Sequence, residues 1–150
     1  MKLVRVEQSH VDIIYEWAND PVTRMYSFHK DVISYEQHVE WFQRKIKDTN
    51  CRFYICQHDN DLIGQIRVDF ENGKGIVSYC VAPLHRGCGY GSQMLRMLQE
   101  LLSNDLDVIP ITILQGKVLH QNVASQKCFL NCDYDRSERD EYILFTKKIR

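Results

Sequence analysis

The 150-residue sequence predicts one mixed α/β domain built on a mostly antiparallel sheet. Two observations carry this. Strand-like runs at 51–57, 62–70 and 76–81, the second with a clear period of two, follow one another through short turns, as hairpin-connected strands do. Runs with helical spacing lie before and after them, and a glycine-dense turn, "RGCGYGS" (86–92), separates the last of those strands from a helix.

In chain order, "LVRVE" is an opening strand. Ser9 is placed to cap a helix from about His10 to Ala18, with Val11, Ile14, Tyr15 and Trp17 or Ala18 on its apolar side. Asp20-Pro21 stops it, and 21–33 is irregular or briefly helical. Ser34 with Gln37 forms a capping-box pattern. The helix it opens turns Val39, Phe42 and Ile46 to the core, with Trp41 at the edge. "CRFYICQ", the turn "HDND" and "LIGQIRVDF" come next. The last of these puts Leu62, Ile66, Val68 and Phe70 on one face and Gln65, Arg67 and Asp69 on the other. "ENGKG" is a hairpin turn, and "IVSYCV", apolar on both faces, reads as a central strand. Beyond the glycine turn, Met94, Leu95, Leu98, Leu101 and Leu102 repeat at helical spacing. "VIPITIL" is a strand with Pro110 near its start, "NVASQKCFLN" a short helix, and "YILFTKKI" a closing strand paired with "DYDRSE".

Bulk properties narrow the function. A net charge of −1 without a basic stripe argues against a nucleic-acid partner. No run is long enough to span a bilayer, and the N-terminus lacks a secretory apolar segment, so no membrane partner and a cytoplasmic location are expected. The six cysteines include no CxxC pair, which predicts reduced thiols and no metal site.

The glycine turn has two readings. Glycine permits positive φ and close approach of a ligand, and a helix start offers unpaired, electropositive N–H groups. Gly87, Cys88, Gly89, Tyr90, Gly91 and Ser92 therefore form either an anion cradle, with Arg86 adding charge, or a tight turn that needs glycine for geometry alone. The turn lacks the Lys-Ser/Thr ending of a Walker loop. It also comes too late in the chain for a dinucleotide fold.

Arg86-x-x-Gly89-x-Gly91 after a strand and "VAP", with "HQNVASQKCF" downstream, resembles the GNAT superfamily of acyl-CoA-dependent N-acetyltransferases. The resemblance covers nearly the whole chain. It implies one GNAT-like domain over 1–150, with splayed central strands, helices on both faces of the sheet, and acetyl-CoA as co-substrate. It further implies that "SYCV" splays from "ITIL", and that backbone near Cys80 and Val81 pairs with the pantetheine arm. The 87–92 amides would hold the pyrophosphate, Asn122 and Ser125 the pantetheine or its phosphate end. A neutral amine would attack the thioester directly, its carbonyl polarised by a backbone N–H near Val81.

The N-terminal half shapes the acceptor site in this fold. Trp17, Asn19, Arg24, Ser27, His38, Trp41 and Phe42, with "IGQIRVDF", resemble bacterial enzymes acting on nucleotide-linked amino sugars of surface-polysaccharide or nonulosonic-acid pathways. Arg24 or Arg67 would then meet a diphosphate, and a Trp or Tyr would stack on a base. Other readings stand beside this. Trp17 or Trp41 can be core, Arg67 and Asp69 a solvated face with one salt bridge, and His38 a surface or satisfied histidine. Protein N-terminal acetylation and a non-catalytic acyl-CoA-binding module are the rival functions. A monomer and a homodimer are both open, the latter through apolar residues of the closing hairpin.

Two family positions differ. The usual Tyr acid of the last helix aligns with Phe129, and the usual strand Glu base with Ile76. Tyr79, Tyr90 and Tyr134 are candidates to protonate the leaving sulfur. His120 is the first candidate base, with His29, His38 and Asp69 behind it. Cys88 would serve only a covalent route, for which no partner histidine is placed.

Overall fold

A computed structural model describes residues 1–105 and 111–149. Seven strands form one sheet: β1 (Lys2–Arg5), β2 (Cys51–His58), β3 (Asp61–Glu71), β4 (Lys74–Val81), β5 (Ile113–Val118), β6 (Asp135–Glu138) and β7 (Ile143–Lys148). Their spatial order is β1-β2-β3-β4-β5-β7-β6. Every neighbour is antiparallel except β4 and β5. Five helices accompany them: α1 (Val11–Ala18), α2 (Pro21–Met25), α3 (Tyr35–Lys47), α4 (Tyr90–Asn104) and α5 (Val123–Asn131).

The side-chain alternation of β2 divides the interior in two. Cys51, Phe53 and Ile55 meet α1 and α3 through Ile14, Trp17 and Phe42. Tyr54 and Cys56 join Ile66, Val68, Phe129 and Phe145 beneath α4, which contributes Met94, Leu95, Leu98 and Leu102. A strand apolar on both faces is what a two-sided sheet requires.

Several expectations are corrected. Ser9 lies inside a 3₁₀ turn, Gln8–His10, and caps nothing; Glu7 and His10 cap that turn reciprocally. Leu62 leaves the face of Ile66, because a bulge opposite Cys56/Gln57 inserts one residue and reverses the alternation. Leu101 is 39% exposed, since the buried stripe of α4 runs through Leu98 and Leu102 instead. Of the expected strand 108–114, residues 108–110 lie outside the described residues, 111–112 are not strand, and β5 runs from Ile113 through "QGKV". None of the large exposed apolar side chains lies on the β6–β7 hairpin, which removes the basis given for a dimer there.

What the sheet contributes to function is a gap. β4 pairs with β5 only over Lys74–Ile76, against Ile113–Gln115. Beyond Ile76 the strands separate, so residues 77–81 have lost their neighbour on that side.

Candidate active site

Each local feature around this gap has a sequence cause. Gly87 and Gly89 adopt positive φ, 77° and 80°, which side chains disfavour. They turn the chain into α4, whose cap, Gly89, supplies no side-chain bond. The first-turn amides of Tyr90, Gly91 and Ser92 therefore have no intrahelical acceptor. At Gly91 a Cβ would sit 2.9 Å from Cys128 Sγ and 3.2 Å from the Tyr79 ring, so α4 closes on α5 and β4 only because that position is bare. Asn122 Oδ1 accepts from Ser125 N at 3.2 Å and caps α5. Ala82 N donates to Ile63 O of β3 at 2.7 Å. Antiparallel ladders alternate direction, so the N–H and C=O of Val81 point to the opposite side, into the gap.

Tyr79 belongs to the α4–α5 side of the sheet, where its hydroxyl lies 2.8 Å from Ser125 Oγ. Burial pushes its pKa well above that of a free phenol, and nearby Cys128 adds to the rise. Tyr79 is therefore protonated at neutral pH, and either hydroxyl can donate in its contact with Ser125. Phe129, at the position of the usual acid, is packed edge-on against Tyr79 and stacked on Phe145 at 5.2 Å. Tyr134 lies behind it, its buried hydroxyl without a hydrogen-bond partner among the described residues.

The opposite face carries a cavity of about 510 Å³ between α1, α2, α3, β3 and β4. It brings together Arg24, His38 and Trp41 with Arg67, Tyr79 and Cys80, all singled out from the sequence. It also includes Arg44, Gln65 and Ser78, which sequence reasoning missed. A signal for them existed: Arg44 follows Trp41 by three residues on a helix, and Gln65 shares the polar face of Arg67.

Trp17, only 5% exposed, is core. Asn19 clamps a loop instead of lining the cavity: its amide donates to Ile33 O and accepts from Ile33 N, both at 2.8 Å. Arg24 organises the same loop, donating to Ala18 O and His29 O at 2.7 Å. His38 is 2% exposed, and its Nε2 donates to Val11 O at 2.8 Å. Burial lowers its pKa. Arg67 lies 5.0 Å over the Trp41 ring and donates through Nε to Asp69 at 2.9 Å. Lys45 holds the other Asp69 oxygen at 2.8 Å.

Arg86 turns from the loop amides toward α2. Its guanidinium pairs with Asp20 at 2.6 Å and donates to Thr23 Oγ1 at 3.1 Å. Asp20 also caps α2, accepting from Val22 N and Thr23 N. His120 sits against the closing hairpin, Nε2 2.9 Å from Arg139 O and Nδ1 3.6 Å from Glu138. Tyr90 packs between His58 and His85. Cys88 is exposed, and all six cysteines are free thiols. Among the described residues no cluster of His, Cys, Asp and Glu could hold a metal ion. No described helix is long and apolar enough to cross a membrane.

The charge of the cavity is one-sided. Arg24, Arg44 and Arg67 line it, and no Asp or Glu does among the described residues. The adjoining mouth, about 540 Å³, adds one carboxylate, Asp31.

Comparison with known proteins matches residues 1–135 to the acetyltransferase (GNAT) domain. No curated protein matches. Among solved structures, spermidine N-acetyltransferase from Vibrio cholerae, in complex with CoA and spermine, superposes with a TM-score of 0.85 at 15% identity, over 98% of this chain and 94% of that one. AAC(6')-Ib, in complex with ribostamycin and coenzyme A, gives 0.85 at 16%, over 98% and 92%. RimL, a ribosomal-protein α-N-acetyltransferase in complex with coenzyme A, gives 0.83 at 16%, over 97% and 92%. With its splayed sheet, glycine turn and matched domain, the chain belongs to the GNAT acetyltransferase family, and acetyl-CoA is its co-substrate.

Proposed function

We propose that this acetyltransferase modifies a primary amine on an anionic small molecule, a nucleotide-linked amino sugar. The observation that carries the reading is the arginine-lined cavity without a carboxylate. Polyamines and aminoglycosides bring several positive charges and would meet like charge there. A diphosphate would meet Arg44, which makes no hydrogen bond or ion pair among the described residues, and Arg67. The Lys45–Arg67–Asp69 group keeps one positive charge over. Trp41, half-buried in the wall, offers a face for a nucleobase.

The chain's own residues fit the coenzyme. The amides from Gly87 to Ser92 would take its pyrophosphate. The freed edge of β4 at Val81 would pair with the pantetheine, beside Asn122 and Ser125. When bound, acetyl-CoA supplies the acetyl group as a thioester. The Val81 N–H aims into the gap, where it is placed to polarise a carbonyl. Tyr79, held as a phenol with Ser125 beside it, donates a proton to the departing sulfur. His120, tied to the hairpin, takes no part in this scheme.

The test is release of coenzyme A with UDP- and dTDP-linked 4-amino sugars. Turnover of at least one is expected. Turnover confined to spermidine, aminoglycosides or peptide N-termini would overturn the acceptor assignment.

A further inference from the structure

Gln65 stands on β3 directly opposite Cys80 of β4, on the acceptor face and at the end where β4 has parted from β5. Its Oε1 is shielded from solvent and has no hydrogen-bond partner among the described residues. Leaving such an acceptor unmet is costly, and a ligand N–H would recover that cost. Several other polar groups of the wall are engaged, Arg44 being an exception. Arg67 is bonded to Asp69, Arg24 to backbone carbonyls, His38 Nε2 to Val11 O, and Cys80 contacts Thr23 Oγ1.

Resting on the reading of this cavity as the acceptor site, we infer that the Gln65 amide oxygen holds the acceptor's amino group for attack. The amine donates one N–H to Oε1 and keeps its lone pair for the acetyl carbon. The N–C amide bond forms as the thioester C–S bond breaks. The surplus proton on nitrogen leaves to water, the sulfur takes one from Tyr79, and Tyr79 recovers its own from water.

A neutral amide suits this task better than a carboxylate. A carboxylate would pair with the ammonium and hold the nucleophile protonated; an amide does not. The charged groups facing the position push the same way: Arg24 of α2, Arg44 of α3 and Arg67 of β3, the last balanced in part by Asp69, which Lys45 shares. Of the titratable groups in the wall, His38 of α3 and Cys80 of β4 are uncharged at neutral pH, because burial disfavours their charged forms, as it does for Tyr79, whose ring lies on the other face of the sheet. The α1 residues of the wall, Ile14 and Ala18, carry no charge. Such a wall populates the free amine without a dedicated base, which accounts for the missing strand Glu.

The experiment compares wild type, Gln65→Leu and Gln65→Glu by the pH profile of kcat/KM, from roughly pH 6 to 10. The acceptors are a UDP-linked 4-amino sugar, spermidine and a tripeptide, with acetyl-CoA affinity measured by calorimetry. Gln65→Leu is expected to lower kcat/KM at least about tenfold, with acetyl-CoA affinity unchanged. Gln65→Glu is expected to move the acidic limb upward by about one pH unit or more. If Gln65→Leu does not fold, the isosteric Gln65→Glu carries the test. A structural role would lower activity at every pH without moving the limb, and that result overturns the assignment, as does activity within about twofold of wild type in both variants. Wild-type turnover of spermidine or the tripeptide alone removes the sugar-nucleotide reading, and the Gln65 variants are then judged on that amine. Turnover of no amine overturns both.

Discussion

At the scale of single residues, the acid assignment rests on Tyr79. Tyr79→Phe keeps the ring contact with Phe129 and removes only the hydroxyl facing Ser125. We predict a fall in kcat of about 10²-fold or more, with the KM for acetyl-CoA within about twofold of wild type, read from steady-state kinetics. Asp69 makes a separate prediction about stability. Burial alone would raise its pKa, but Lys45 and Arg67 outweigh that and hold it below the usual carboxylate value. A carboxylate depressed in the native state contributes stability that is complete above its unfolded pKa and is lost as pH falls through the native value. The thermal midpoint of Asp69→Asn should therefore lie below wild type by a constant margin at about pH 5 to 7, and the margin should shrink below about pH 4. A margin that stays constant into acid would contradict the ion-pair assignment.

Among elements, the glycine turn and the start of α2 meet through Arg86, Asp20 and Thr23. Asp20→Ala removes both the α2 cap and the partner of Arg86 and should cost about 1–2 kcal/mol in denaturant unfolding. Asp20→Asn keeps a capping oxygen and should cost less. Gly89→Ala would place a Cβ in open space, so its penalty is one of backbone conformation at φ 80°. That penalty is about 1–2 kcal/mol, seen as weaker acetyl-CoA binding by calorimetry. These elements show where sequence reading succeeds. The glycine turn, the Ser34 cap and the hairpin at Asn72-Gly73 follow from local chemistry, and all stand in the structure. The roles of Asn19, Arg24 and Arg86 did not follow. Each spends its hydrogen bonds on a partner fixed by tertiary folding, and polarity alone cannot tell a loop-building arginine from one that meets a ligand.

For the whole molecule, two apolar layers separated by a two-sided sheet place the amides of the glycine turn and the arginine-lined cavity at one gap. The order of strands and helices was legible because hairpin periodicity and helical periodicity alternate cleanly. The bulge that reverses Leu62 and the late start of β5 were not, since both depend on how neighbouring strands pair. Gln65 and Arg44 escaped for a related reason. Their neighbours looked equally polar in sequence, and only packing shows which of them are already engaged. The central claim is that the cavity reads negative charge on the acceptor. Its most direct test compares kcat/KM for one 4-amino sugar as its UDP conjugate and as the free sugar, at constant acetyl-CoA and low salt. The account predicts the conjugate is preferred by about 10²-fold or more, with the preference falling as salt is added. Equal values, or a preference for the free sugar, would contradict it.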